Sequence, residues 1–71
     1  MSPKEFIVNY SELAAYAVLL GLTEPEFLQI HLPNRIIFIR EHYVRVVRIS
    51  PTEDTRIPYP ITLEQFKEML L

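Results

Sequence analysis

The stretch Arg35–Ile49, RIIFIREHYVRVVRI, decides how this chain is read. It is dense in β-branched and aromatic residues, which favour strands. It also gathers Arg35, Arg40, Arg45 and Arg48 against a single acid, Glu41. Read as strands at about Arg35–Ile39 and Tyr43–Ile49, it predicts an antiparallel hairpin. The turn Arg40-Glu41-His42 has no glycine or asparagine, so a tight primed turn is disfavoured and a longer loop is expected. Ile36, Ile37, Phe38 and Ile39 leave no polar face, which predicts a strand covered on both sides. Strict alternation puts Arg45 and Arg48 on opposite faces, whereas a bulge near Val46–Val47 would bring them together. Residues Phe6 to Val8 are expected to add a short third strand.

Outward from the hairpin, three helix starts carry the same signature. Asn9 with Glu12, Thr23 with Glu26, and Thr62 with Gln65 have the spacing of a capping box. Each is flanked by an apolar pair: Val8 and Leu13, Leu22 and Phe27, Ile61 and Phe66. The first helix is predicted from about Tyr10 to Leu20, stopped by Gly21, the only glycine. It is apolar nearly all round and must be covered on most sides, for which a partner chain is one route. A second, short helix is predicted from Glu24 to about His31, with Pro25 in its first turn and Pro33 ending it. Partial alternation over Phe27–Leu32 makes a strand the competing reading. Residues 50–60 read as a proline-rich extended connection. The last helix, Leu63–Leu71, places Leu63, Phe66, Met69 and Leu70 on one face.

Seventy-one residues make one domain, 1–71, and 49% of them are hydrophobic. A core this small supplies only about 3–5 kcal/mol of net stability, so dense packing or oligomerisation is expected to help. No cysteine is present, which excludes disulfides and thiolate metal sites and points to a reducing, cytoplasmic setting. Lys4 and Glu5 interrupt the N-terminus, so no targeting segment is read there. The apolar run Leu13–Leu22 is too short to span a bilayer. A net charge of −2 argues against generic polyanion binding, while the arginine cluster keeps a local anionic contact open.

Catalytic chemistry has little to build on. Ser11 or Ser50 with His31 or His42 are the only nucleophile–base candidates, and no motif links them. His31, Glu41 and His42 match no common metal spacing. No enzyme activity, metal, cofactor or small-molecule substrate is expected.

Ala17–Ile30, AVLLGLTEPEFLQI, has a small residue four before the glycine and apolar residues six and nine after it. This resembles the helix-turn-helix corner, and with a hairpin and closing helix behind it the element order resembles winged-helix regulators such as phage excisionases. The resemblance implies groove-reading positions at Glu24, Pro25, Glu26, Leu28 and Gln29. Two carboxylates there would face phosphates, which suits a protein contact better than a DNA groove.

The expected fold is α+β: two N-terminal helices, an antiparallel hairpin or three-stranded sheet, and a C-terminal helix. The expected function is a non-enzymatic intracellular regulatory module. It would bind a protein partner through Arg35, Arg40, Tyr43, Arg45 and Arg48, arginine and tyrosine being favoured interface anchors. A homodimer contact is expected through Leu13, Tyr16 and Leu20 of the first helix, or Ile37 and Ile39 of the first hairpin strand. The alternative is a winged-helix-like DNA binder using the same arginines, and the bland reading pairs those arginines with helix glutamates Glu12, Glu24, Glu26, Glu64 and Glu68.

Overall fold

The computed structural model describes residues 6–49 and 51–71. In chain order the elements are β1 (Ile7–Val8), α1 (Tyr10–Leu19), β2 (Gln29–Leu32), β3 (Arg35–Ile39), β4 (Tyr43–Ile49), β5 (Thr52–Pro58), β6 (Ile61–Thr62) and α2 (Leu63–Met69). Strands β2-β3-β4-β5 form an antiparallel four-stranded meander, and β1 pairs with β6 in a separate two-stranded ladder. The molecule is mixed α+β and mostly strand.

Two of the three capping boxes form. The Asn9 side chain accepts from Glu12 N at 3.3 Å while Glu12 Oε1 accepts from Asn9 N at 3.3 Å. The Thr62 hydroxyl accepts from Gln65 N at 3.0 Å and Gln65 Oε1 accepts from Thr62 N at 2.8 Å. Their flanking apolar pairs, Val8 with Leu13 and Ile61 with Phe66, are all buried. Gly21 ends α1 at φ +72°, with Gly21 N bonded to Val18 O and Leu22 N to Ala17 O, the paired bonds of a Schellman stop.

The third box does not form, and the expected second N-terminal helix at Glu24–His31 is absent. Thr23 Oγ1 accepts from Gln29 N at 3.0 Å, three residues beyond the helical partner. One turn follows, closed by Phe27 N and Leu28 N on Glu24 O. Leu28 then takes φ +51°, a left-handed conformation that stops a helix, and Gln29–Leu32 becomes β2. The physical reason is tertiary. Ile30 is buried against the sheet in register with Ile37, a burial that a single exposed helical turn would forgo. The corner over residues 17–30 therefore contains one helix.

Two further segments form strands. The 50–60 connection is extended, but Thr52–Pro58 pairs along the whole of β4 as an edge strand, with Pro58 at its end where a missing donor is tolerated. Residues Ile7–Val8 pair with Ile61–Thr62 and do not join the main sheet. Ser50 lies outside the described residues.

The hairpin falls at β3–β4, with Ile37 opposite Val46 and Ile39 opposite Val44. Glu41 and His42 alone reverse the chain, Arg40 N donating to Tyr43 O at 3.0 Å. Neither residue has a positive φ, so this short turn is not of the primed type.

Both helices lie on one face of the sheet. Leu13 and Ala17 from α1, Phe66 from α2, and Ile30, Ile37, Ile39, Val44 and Val46 from the sheet form the core. Tyr16 meets Phe66 edge-on at 6.1 Å. Phe66 is fully buried, so truncation to alanine is expected to cost about 3–5 kcal/mol, most of what so small a core can supply. Beside it, Tyr10 and Tyr59 pack edge-to-face at 6.3 Å, and the Tyr59–Pro60 bond is cis. The Tyr59 hydroxyl is enclosed with no hydrogen-bond partner among the described residues. Burial, with a smaller contribution from Tyr10, pushes its pKa up to about 12. Among the described residues no helix is long and apolar enough to cross a membrane.

Candidate binding surface

The meander has two faces, and the described helices cover only one. Alternation along β3 buries Arg35, Ile37 and Ile39 and turns Ile36 and Phe38 outward. The expectation of a β3 strand covered on both sides is thus overturned: Ile36 and Phe38 are half-exposed on an open sheet face. Register carries that face across the sheet. His31, Ile36, Val47 and Asp54 make one cross-strand row, and Gln29, Phe38, Arg45 and Arg56 the next. Tyr43 opposite Pro58 extends it at the turn end, and Ile49 opposite Thr52 at the other.

Arginines lie over the aromatic rings of this face. The guanidinium carbon of Arg40 is 5.0 Å and that of Arg45 is 5.6 Å from the Phe38 ring centre. The Arg56 guanidinium lies 5.1 Å from the Tyr43 ring centre. Such stacking holds a long side chain in place while leaving its N–H edge available. Arg45 uses that edge on Asp54, with Nε to Oδ1 at 2.9 Å and Nη2 to Oδ2 at 2.6 Å. Arg45 and Arg56 are directly opposed like charges, and Asp54 sits diagonally between the strands to offset them. The hydrogen bonds from Arg45 hold the Asp54 carboxyl below its ordinary range, with lesser help from the Arg45 and Arg56 charges. The Asp54 hydrogen bond in turn raises Arg45 above its ordinary value.

The arginines and tyrosine singled out by sequence divide between two faces. Arg40, Tyr43 and Arg45 come together on the open face. Regular pairing through Val46–Val47 leaves no bulge to unite Arg45 and Arg48, so Arg48 lies on the helix side, exposed, across from Glu53. Arg35 is only 5% exposed, and its Nε donates to the main-chain oxygen of Met69 at 2.7 Å. It is a buried clasp on α2 and presents no contact surface. Among the described residues the single ion pair is Arg45–Asp54, within the sheet, and no arginine pairs with a helix glutamate.

Sequence reasoning missed Phe38, Asp54 and Arg56 as members of this face. The last two lie in Thr52-Glu53-Asp54-Thr55-Arg56-Ile57, five polar residues before one apolar one, which carries no alternation to mark a strand.

The residues expected at a self-contact are also divided. Leu13, Ile37 and Ile39 are core residues within one chain, Tyr16 is half-buried against Phe66, and Leu20 is exposed. Its neighbour Leu19, 85% exposed, lines a shallow groove with Ala14, Ala15, Val18 and Pro25.

Among the described residues, Ser11, His31 and His42 make no hydrogen bond to one another. Ser11 Oγ donates to Asn9 Oδ1 at 3.1 Å and His31 Nε2 lies 3.3 Å from Gln29 Oε1, both local contacts. Compared with protein-family models, with curated proteins and with solved structures, the chain matches none.

Proposed function

We propose that the protein is a small non-enzymatic binding module whose open sheet face docks a protein partner. One observation carries the reading: Arg40, Arg45 and Arg56 are stacked on Phe38 and Tyr43 over a β-sheet face that no described element covers. Arginine and aromatic residues are the side chains that concentrate binding energy at interfaces. Here they share one flat surface with the half-exposed aliphatics Ile36 and Val47 and the exposed Ile49. Stacking also lowers the entropy lost when long side chains are immobilised on binding.

The test is partner capture by the tagged protein, with the double charge reversal Arg40→Glu/Arg56→Glu beside Arg48→Glu on the opposite face. Loss of the captured partner in the first variant and retention in the second, with circular dichroism unchanged in both, supports the reading. Undiminished capture by Arg40→Glu/Arg56→Glu counts against it.

A further inference from the structure

We infer that the partner segment read by this face is rich in carboxylates, and that Asp54 is a built-in competitor holding the Arg45 position until such a segment displaces it. The inference rests on the docking reading above and names its ligand class and its restraint.

Charge supplies the first reason. Among the described residues, Arg40, Arg45 and Arg56 stand on the open face against Asp54 in its strand rows and Glu41 in the adjoining turn. The surplus is positive although the whole chain carries −2. An acidic segment is complementary to the face, and the remainder of the molecule repels it from other sites.

Geometry supplies the second. Arg45 already shows how a carboxylate is received. Its guanidinium is over Phe38, and its Nε and Nη2 grip both oxygens of Asp54 at 2.9 and 2.6 Å. Bidentate pairing of this kind is specific for a planar two-oxygen anion. Arg40 and Arg56 are stacked in the same way and have no carboxylate partner among the described residues. Asp54 therefore stands in, within the chain, for one group of the ligand.

The third reason is the exposure of that pair. The Arg45 and Asp54 side chains retain 35% and 44% of their accessible surface. A solvated ion pair is weak, so an incoming carboxylate that gains further contacts at Arg40 and Arg56 can replace Asp54. Single-stranded nucleic acid is the less fitting occupant. Its bases need free ring faces, and a guanidinium group already lies over each of Phe38 and Tyr43, while Asp54 would meet its phosphates.

Fluorescence anisotropy with a labelled oligoglutamate peptide tests this, with labelled oligothymidylate in parallel. Wild type is expected to bind the peptide at low salt and prefer it to the nucleotide. Asp54→Asn should tighten peptide binding about two- to fivefold, the span an exposed ion pair represents. Glu53→Gln makes the same change in net charge on the opposite face and should leave affinity nearly unchanged. Equal effects of Asp54→Asn and Glu53→Gln, or none from either, overturn the competitor role. A preference for oligothymidylate, or no peptide binding by wild type or Asp54→Asn, overturns the ligand class. Failure of the docking reading has its own signature: peptide binding that persists in Arg40→Glu/Arg56→Glu.

Discussion

Arg35 Nε lies 2.7 Å from the main-chain oxygen of Met69, tying the first residue of β3 to the last turn of α2. Carbonyls in the last turn of a helix have no partner within it, and a cation there also favours the helix dipole. The apolar stem of Arg35 meanwhile fills the space between sheet and helix.

Arg35→Ala removes both contributions and is expected to destabilise the protein by about 2–3 kcal/mol, the worth of a buried hydrogen bond from a charged group. Arg35→Met keeps the stem and should cost less. Urea denaturation midpoints in the order wild type, Met, Ala would bear this out. An alanine variant as stable as wild type would show that Arg35 does not clasp α2.

Tyr59 makes an unusual prediction, because its enclosed hydroxyl has no partner among the described residues. Removing an unsatisfied polar atom relieves a desolvation cost, so Tyr59→Phe is expected to stabilise the protein by about 1 kcal/mol. Thermal melts of the two proteins decide the sign. The same burial sets a pH dependence. The folded-state pKa of about 12 lies above the ordinary 10.0, so the neutral phenol is favoured in the folded protein. Its contribution is complete below pH 10 and is lost as pH rises towards 12. An ultraviolet titration should find Tyr59 ionising well above the ordinary tyrosine range, and Tyr59→Phe should lose that late step.

The open face offers a titration of opposite sign. Asp54 is held below the ordinary carboxylate value of 3.8 by Arg45, so its contribution is present above that pH and is lost as pH falls through the folded value. Arg45→Gln should move the Asp54 carboxyl resonance back towards 3.8 in a carbon-detected titration. An unmoved resonance would mean that the pair is not maintained in solution.

Leu28 at φ +51° should reverse a familiar ranking. Glycine in ordered backbone is usually less stable than alanine, but a left-handed residue with a Cβ carries a penalty of about 1–2 kcal/mol. Leu28→Gly is therefore expected to be more stable than Leu28→Ala, the comparison cancelling most of the lost packing. At Gly21 a Cβ would meet nothing within 4 Å, so the cost of Gly21→Ala there is conformational alone.

Self-association, if it involves α1, is expected to depend on exposed Leu19 and Leu20 and not on Leu13. Light scattering on Leu19→Lys/Leu20→Lys should report a monomer that unfolds at the wild-type denaturant concentration, whereas Leu13→Lys should not fold. Unchanged mass in the double lysine variant, where the wild type is a dimer, would place the contact elsewhere.

What could be read in the sequence followed a physical division. Asn9, Gly21 and Thr62 act through bonds to residues two to four away, so their roles were visible in local spacing. The hairpin Arg35–Ile49 was visible for the same reason, its partners being adjacent. Thr23 presented the same local signature, but Ile30 beyond it gains more by pairing with Ile37 across the sheet than the helical turn could return. Local pattern cannot register that competition. Arg56 was lost with its strand, because prolines at 51 and 58 look alike whether they bound a linker or an edge strand. The open face was hidden because β3 is apolar on both sides, and only the placement of the helices tells which side stays open.

The β1–β6 ladder has a kinetic consequence. The meander pairs only strands that are neighbours in the chain, so its hairpins close short loops. The ladder joins Ile7 to Thr62, and Asn9 and Thr62, the caps from which both helices spring, lie at its two exits. Closing that contact encircles nearly the whole described chain and brings the larger loop-closure entropy. The sheet is thus expected to assemble first and the ladder to lock last, committing both helices to the sheet in one late step. Amide protons of α1 and α2 should then exchange together, at a lower opening energy than those at the centre of β3 and β4.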